Sequence, residues 1–267
     1  MTSWTTVEVL VTVKAYPQIG RRTGESVCVA GIRTDIHPPQ WARLFPIPFR
    51  DLDRDVQFRK YQYITLKAHP SRRDRRPESL RPDCDTIRLG PELSSSGPDL
   101  DRRRALVDAV MIESMCELQR MQEVQGTSLG AFRPADVADV VSRRGDEWDA
   151  AKKTVAAQRS LFAPDKEPLE QPPWQFSYRY RCLDASCGGH EQTIVDWEIG
   201  QAWRAWRELR PEPDRVEAIR NRWLDELCSG DRDTVFFAGN MHQHPKSFLI
   251  LGVFWPRRTP YTRPLFG

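Results

Sequence analysis

Residues 174–190, WQFSYRYRCLDASCGGH, contain the most regular strand pattern in the chain and, directly after it, a close group of metal-binding side chains. Every second residue from Trp174 to Cys182 is aromatic or a cysteine, and the residues between them are polar. A period of two is typical of a β-strand with one buried face. Two cysteines and a histidine follow as Cys182-x4-Cys187-x2-His190, with two glycines that let the chain bend sharply. This stretch therefore predicts a strand that delivers two thiols and an imidazole to one turn.

Two thiolates and an imidazole at this spacing are ligands that Zn²⁺ prefers in tetrahedral sites. The sequence predicts zinc as a cofactor, bound by Cys182, Cys187, His190 and Cys228. A closed site of four protein ligands would be structural, whereas a water in the fourth position would indicate catalysis. The pattern leaves other candidates for the fourth position open, namely Asp196, His242 and His244. Without a metal, the same residues would be a buried strand cysteine and an ordinary loop.

The N-terminal third is rich in short strand patterns. Valines at every second position from Val7 to Val13 give the first, and residues 27–32, 41–47, 61–67 and 86–89 give four more. Five short strands without a long intervening helix predict a small barrel, of OB-like or PUA-like size. We therefore expect a basic, β-barrel-like domain at residues 1–90.

The rest of the chain mixes helices and strands. Apolar spacing predicts a helix from about Asp101 to Gln125, and Pro134 predicts the start of a short helix. A further helix is expected around Trp148–Leu161, which makes residues 91–165 a helical connector. Residues 166–255 then form an α+β domain around the zinc site, and residues 256–267 an extended tail. The predicted fold class is α+β. Cys28 and Cys116 fall in apolar patterns and are expected in the core.

Charge is unevenly distributed. The net charge of +3 combines +6 over residues 1–88, −6 over residues 89–255 and +3 over residues 256–267. A basic module on an acidic body is typical of proteins that bind a polyanion, although interleaved acids also suit an ordinary solvated surface. Basic residues next to tyrosines predict nucleic-acid contacts through Arg59, Lys60, Tyr61, Tyr63, Lys67, Arg72, Arg73, Arg75 and Arg76.

Three functions agree with these patterns. The leading one is a zinc-stabilised nucleic-acid-binding protein, an accessory factor in DNA or RNA processing. The second is a metal-dependent nuclease in which Asp196, Glu198, His242 and His244 are catalytic beside the Cys/His cluster, although the two acids also suit a helix start. The third is a protein–protein adaptor that presents its Arg- and Pro-rich tail to a partner protein. Whether the chain is an enzyme stays open, because it contains no phosphate-binding glycine loop and no serine-hydrolase or HExxH motif.

No apolar run approaches the length of a membrane span, and Met1–Trp4 do not begin a secretory signal. We therefore expect a cytoplasmic protein without a membrane partner.

Six stretches resemble an uncharacterised prokaryotic family. They are ESVCVAGI (25–32), WARLFPIPFRDL (41–52), FRKYQYI (58–64), SLGAFRP (128–134), the Cys182–Glu198 segment and FLILGVFWP (248–256). Because they are spread over most of the chain, the resemblance implies one shared architecture. It implies no activity.

Overall fold

The computed structural model describes residues 3–20, 23–150, 152–154 and 169–258. Its N-terminal part is built from six strands: β1 (Thr5–Lys14), β2 (Gln18–Gly20), β3 (Gly24–Arg33), β4 (Gln40–Ile47), β5 (Gln62–Pro70) and β6 (Ser79–Glu92). Alternating valines of β1 point into the interior, because a strand places successive side chains on opposite faces. A 3-10 turn at Phe49–Asp51 places Phe49 against Phe58 at 5.0 Å between ring centroids, within the same core.

Five of these strands close into a barrel. β1 pairs with both β3 and β5, β3 pairs with β4, and β5 pairs with β6. The ring is completed by a parallel pairing of β4 with β6, at Arg43 with Ser79 and Leu44 with Leu80. β2 only extends β3, so the five barrel strands in chain order are β1, β3, β4, β5 and β6. Around the barrel they follow the order first, second, third, fifth, fourth and back to the first. That is the strand order of the OB-fold, so the predicted barrel is confirmed and its type is settled.

The C-terminal part contains the remaining elements. Two helices precede its strands, α1 (Gly97–Asp108) and α2 (Met115–Gln125). Two more lie among them, α3 (Trp197–Ala205) and α4 (Glu212–Asn221), and α4 is followed by a π turn at Arg222–Glu226. Its strands are β7 (Leu129–Phe132), β8 (Pro134–Arg144), β9 (Trp174–Cys182), β10 (His190–Thr193), β11 (Val235–Asn240) and β12 (Phe248–Phe254). The α+β class is therefore confirmed. None of the described helices has the length and apolar character that crossing a bilayer requires.

The C-terminal strands repeat the topology of the first barrel. Only Arg133 separates β7 from β8, so together they act as one bent first strand. β8 pairs with β9 and β9 with β10, while β7 pairs with β11 and β11 with β12. A parallel bridge between Ile194 and Ile250 joins the end of β10 to β12. The order is again first, second, third, fifth, fourth and first, with α3 and α4 between the third and fourth strands, so the chain is a tandem of two OB-type barrels.

The two barrels share an apolar interface. Leu10, Ala30 and Ile32 on the outside of the first barrel pack against Val235 and Phe237 of β11. The rings of Trp41 and Phe237 pack edge to face, with 5.7 Å between their centroids. A polar link lies beside this core, because the guanidinium of the buried Arg43 donates to the Ser128 carbonyl at 2.9 Å, and Ser128 in turn donates to Glu78. The barrels are therefore fixed against each other.

Two local predictions change, and two others fall largely outside the described residues. The helix expected from Asp101 to Gln125 is two helices, separated where Ile112 donates to the Ala131 carbonyl and Ser114 caps α2. The short helix expected at Pro134 is strand β8, since Val137 and Val140 pair with tyrosines of β9. Most of the expected helix at Trp148–Leu161, and residues 259–267 of the tail, lie outside the described residues.

Candidate functional site

Four side chains of the second barrel form a cluster that could hold a metal ion. The ligand atoms of Cys116, Cys182, Cys187 and His190 all lie within 4.8 Å of one another. Cys116 Sγ is 3.5 Å from Cys182 Sγ and 3.5 Å from His190 Nε2. Three protein segments meet here: the first turn of α2, the end of β9 and the start of β10. We call these four residues the Cys3His cluster.

Local backbone chemistry explains how the segments reach this geometry. The Ser114 hydroxyl accepts a hydrogen bond from Glu117 N at 3.0 Å, which starts α2 two residues before Cys116. Cys187 lies in the β9–β10 turn, and its Sγ accepts from the N–H groups of Cys182 and Gly189, each at 3.4 Å. Gly189 has a φ of 101°, a conformation that side chains other than glycine rarely adopt. The turn thus closes around the Cys187 sulfur.

The close packing of the thiols shifts the pKa values of Cys182 and Cys116 in opposite directions. Burial raises the pKa of Cys182, but hydrogen bonds from backbone groups and from His190 and Cys187 outweigh it and lower the pKa to about 6. Burial and the neighbouring sulfurs of Cys182 and Cys187 raise the pKa of Cys116 to about 12. Cys116 and Cys182 therefore cannot both ionise at low cost unless a cation shares the site.

The fourth ligand assigned from the sequence needs correction. Cys228 is not part of the cluster: its thiol donates to the Trp223 carbonyl at 3.4 Å, and burial raises its pKa to about 12. Cys116 takes its place, although its apolar sequence context predicted a core residue. No local spacing marked it, because Cys116 lies 66 residues before Cys182 and reaches it only through the packing of α2 on the barrel.

A second candidate site is a cleft between the barrels, with a volume of about 440 Å³. The loop between the first two strands of the N-terminal barrel forms one wall through Tyr16, Gln18 and Ile19. Phe45 of β4 contributes to its floor, and residues 240–244 of the second barrel form the opposite wall. We call this the interbarrel cleft. Phe45 and Met241 are exposed there at 38% and 37% of their surface, and neither was a candidate in the sequence.

The loops between strands four and five of the two barrels meet at this cleft. In the first barrel this loop holds residues 71–78, and in the second residues 241–247. The Arg76 guanidinium donates to the Asn240 carbonyl at 2.7 Å, and His242 Nδ1 lies 3.3 Å from a carboxylate oxygen of Asp74. Arg76 also neutralises Asp74, which holds the Asp74 pKa well below its usual range. Arg72, Arg73 and Arg75 remain exposed on the same loop.

The structure separates the other residues predicted to contact nucleic acid. Arg59 and Lys67 are exposed and Tyr63 is half-buried, but none of them lines the interbarrel cleft. Lys60 and Tyr61 require correction, because neither presents its polar end on an open surface. The Lys60 ammonium donates to Asp196 at 3.0 Å and pairs with Glu198 at 3.1 Å, and Tyr61 is only 8% exposed.

The predicted catalytic residues do not come together as one cluster. Asp196 is buried and caps α3 by accepting from Glu198 N at 3.1 Å, which is the structural role its position also suited. Burial raises the pKa of Asp196 to about 6, although Lys60 opposes the shift. His242 and His244 line the interbarrel cleft, whereas Glu198 lines a different cavity. Among the described residues, the Cys3His cluster is the one group with metal-ligand geometry, so a nuclease centre built from these acids and histidines is not assembled.

Comparison with known proteins gives a family. No curated protein matches the sequence. A solved structure of a murine DNA-binding protein bound with double-stranded DNA overlaps 97% of this chain and 99% of its own at 10% identity, with a TM-score of 0.32. Two family profiles do match, one described as Domain of unknown function (DUF8758) over residues 5–109 and one over residues 110–266. The second profile covers more than half of the chain, which therefore belongs to the family described as Domain of unknown function (DUF8757).

Proposed function

We propose that this protein binds single-stranded nucleic acid in the interbarrel cleft and that zinc in the Cys3His cluster stabilises the second barrel. The observation that carries the proposal is the meeting of the two loops at residues 71–78 and 241–247 on the edge of the cleft. We propose that the protein acts through this binding as an accessory factor in DNA or RNA processing.

The position of the cleft supports the proposal. OB-folds bind oligonucleotides on the face of their second and third strands, between the loop that joins strands one and two and the loop that joins strands four and five. In the first barrel that face belongs to β3 and β4. Part of it is covered by the second barrel, through Ile32 and Trp41. The part left open, around Cys28 and Phe45, is the floor of the interbarrel cleft.

The side chains of the cleft suit a single strand. Phe45 offers an exposed ring on which a base can stack, and stacking does not depend on the base sequence. Arg72, Arg73 and Arg75 are exposed on the same loop as Arg76, which lines the cleft, and their guanidinium groups can contact phosphates. His242 and His244 lie on the opposite wall and can donate hydrogen bonds to a base or a phosphate.

Zinc fits the Cys3His cluster. Tetrahedral zinc with bonds of about 2.3 Å to sulfur and about 2.0 Å to nitrogen separates two sulfurs by about 3.8 Å and a sulfur and a nitrogen by about 3.6 Å. The separations of 3.5 Å for Cys116 to Cys182 and to His190 are close to both values. Four protein ligands leave no position for a substrate, which favours a structural ion that ties α2 to the β9–β10 turn.

Salt-dependent binding of a fluorescent single-stranded oligonucleotide tests the nucleic-acid proposal. On a single strand, each phosphate contact contributes about 0.7 to the slope of the logarithm of the binding constant against the logarithm of the salt concentration, because it releases counterions. Loss of three contacts in the triple variant R72Q/R73Q/R75Q should lower the slope by about 2 and weaken binding at low salt. The variant R54Q/R88Q/R102Q removes the same charge from exposed arginines outside the cleft and should bind nearly as the wild type does.

Two results contradict the proposal. One is the absence of binding to any DNA or RNA oligonucleotide at low salt. The other is an equal change of slope in both triple variants, because that would assign the binding to net charge and not to the cleft.

A further inference from the structure

A cavity separate from the interbarrel cleft is lined by several arginines. It has a volume of about 810 Å³ and lies between the start of α1, the end of β12 and the π turn. Five of its lining side chains are cationic and one is acidic; they are Lys60, Arg103, Arg222, Arg232, Arg257 and Glu198. The apolar part of the wall includes Leu100, Val253 and Trp255. We call it the arginine cavity.

Not every cation in this cavity is free to bind a ligand. Lys60 is held by Asp196 and Glu198, and Arg222 pairs with Glu226. Arg103 donates to the Leu93 carbonyl but has no ion pair among the described residues, Arg232 has only a long contact of 3.8 Å with Asp231, and the described residues give Arg257 no ion pair within 4 Å. Arg232 and Arg257 are neighbours, because their backbones form an antiparallel bridge. The cavity therefore has an excess of positive charge concentrated on one side.

Buried polar atoms without a hydrogen-bond partner point to a ligand there. The Tyr61 hydroxyl, Arg103 Nε and Arg232 Nε are all buried and unpaired within the described part of the chain, and all three residues line the arginine cavity. For Arg232 Nε the nearest acid is Asp231, at 3.8 Å. A buried donor that stays unpaired costs about 1–3 kcal/mol, so three around one cavity are unusual in a wall that only packs.

The backbone around Tyr61 supports the same conclusion. Tyr61 has a φ of 60°, a left-handed conformation that is unfavourable for an aromatic residue. Two hydrogen bonds fix it there, from Tyr61 N to the Val11 carbonyl at 2.6 Å and from Leu93 N to the Tyr61 carbonyl at 2.8 Å. The Arg103 guanidinium stacks on the ring at 3.9 Å from its centroid. Strain of this kind is typical of residues whose position serves a binding site.

The start of α1 adds further donors. Ser96 caps this helix without a side-chain hydrogen bond to its first turn, and Ser95, Ser96 and Gly97 line the cavity. The positive end of the helix dipole favours an anion at this position, where Asp99 already lies in the first turn and Pro98 contributes no N–H.

We propose that the arginine cavity binds a phosphate-bearing small molecule. Arg103, Arg232, Arg257, the Tyr61 hydroxyl and the first turn of α1 contact its phosphate oxygens. The apolar wall beside Trp255 contacts the rest of the molecule, which favours a nucleotide over a free phosphate. This site is separate from the interbarrel cleft, and the proposal does not depend on nucleic-acid binding.

Isothermal titration of the full-length protein with pyrophosphate, inorganic phosphate and ADP tests the site. We expect saturable binding of pyrophosphate and tighter binding of ADP. R232Q should weaken binding at least tenfold, because it removes a charge-assisted hydrogen bond. Y61F removes only the hydroxyl and should weaken binding about threefold. R257Q alters an exposed side chain, so it tests the cavity without affecting folding.

Arg215 offers a matched control. Its Nε is also buried and unpaired among the described residues, and its guanidinium also lies over a tryptophan, Trp203, at 4.3 Å. Arg215 does not line the arginine cavity, so R215Q should bind pyrophosphate as the wild type does. R72Q/R73Q/R75Q should also keep pyrophosphate binding. Absence of binding for all three probes overturns the proposal, and so does an equal loss in R232Q and R215Q. If pyrophosphate binds more tightly than ADP, the site is one for inorganic phosphates and the role of the apolar wall is refuted.

Discussion

Replacing Cys116 by alanine should remove most of the metal affinity of the protein. The residue lies 3.5 Å from both Cys182 Sγ and His190 Nε2, so it occupies one corner of the ligand set. Structural zinc sites with four such ligands bind with about 10–16 kcal/mol at neutral pH. If each of the four ligands contributes equally, the loss of one removes about 3 kcal/mol of the binding free energy of zinc. The dissociation constant of C116A for zinc should then be about 150 times larger than that of the wild type.

The control for this prediction is C228A. Cys228 is also a half-buried cysteine of the second barrel, but its thiol contacts the Trp223 carbonyl and not the cluster. Elemental analysis should find about one zinc per chain in the wild type and in C228A, and competition with a chromophoric chelator should show the loss of affinity in C116A alone. Zinc retained by C116A at wild-type affinity, or lost from C228A, would refute the assignment of the fourth ligand.

Three further predictions concern the fold. G189A should lower the free energy of unfolding by about 1–2 kcal/mol, because Gly189 has a φ of 101°. G188A should have little effect, because its added Cβ meets nothing within 4 Å. Chemical denaturation measures both variants, and equal losses of stability would contradict the role of the Gly189 backbone. R43M should destabilise the protein by about 2 kcal/mol, since it leaves the buried carbonyl and hydroxyl of Ser128 without their guanidinium donor, and a stability close to that of the wild type would show that this polar link does not hold the barrels together. Burial, with the charge of Lys60 nearby, lowers the Lys14 pKa from 10.5 to about 8. Between these two pH values the unfolded chain binds more protons than the folded protein, so the free energy of unfolding should rise with pH by up to about 3 kcal/mol. Urea unfolding should show this rise in the wild type and not in K14M.

The sequence predicted the parts of the fold that depend on local patterns. Alternating residues identified β1 and β9. Residues 134–144 were mistaken for a helix because Val137, Val140 and Val141 also match helical spacing. Pairing with β9 decides the conformation there, and no local pattern contains that pairing.

The tandem arrangement could not be predicted from the sequence. The two barrels share a strand order but not a residue pattern, since the first strand of the second barrel is split at Arg133 and its third strand has only four residues. The repeat lies in the connections between strands, including the parallel contact of Ile194 with Ile250.

The candidate sites were predictable only where their residues are neighbours in sequence. Cys182, Cys187 and His190 lie within one turn, whereas Cys116 comes from a distant helix. The arginine-rich loop at residues 71–78 was visible as a run of charge. Its contact with His242 and Asn240 depends on how the barrels pack, as does the burial of Lys60 beside Asp196.

Binding in the interbarrel cleft requires a single strand to lie against Phe45 and the loop at residues 241–247. Photo-crosslinking of an oligonucleotide containing a halogenated uracil, followed by mass spectrometry of the peptides, locates the bound strand. We expect crosslinks at Phe45 of β4 and at residues 241–244, reduced in R72Q/R73Q/R75Q and unchanged in R54Q/R88Q/R102Q. Crosslinks that map only to the outer face of β8 and β9, with none in the cleft, would contradict it.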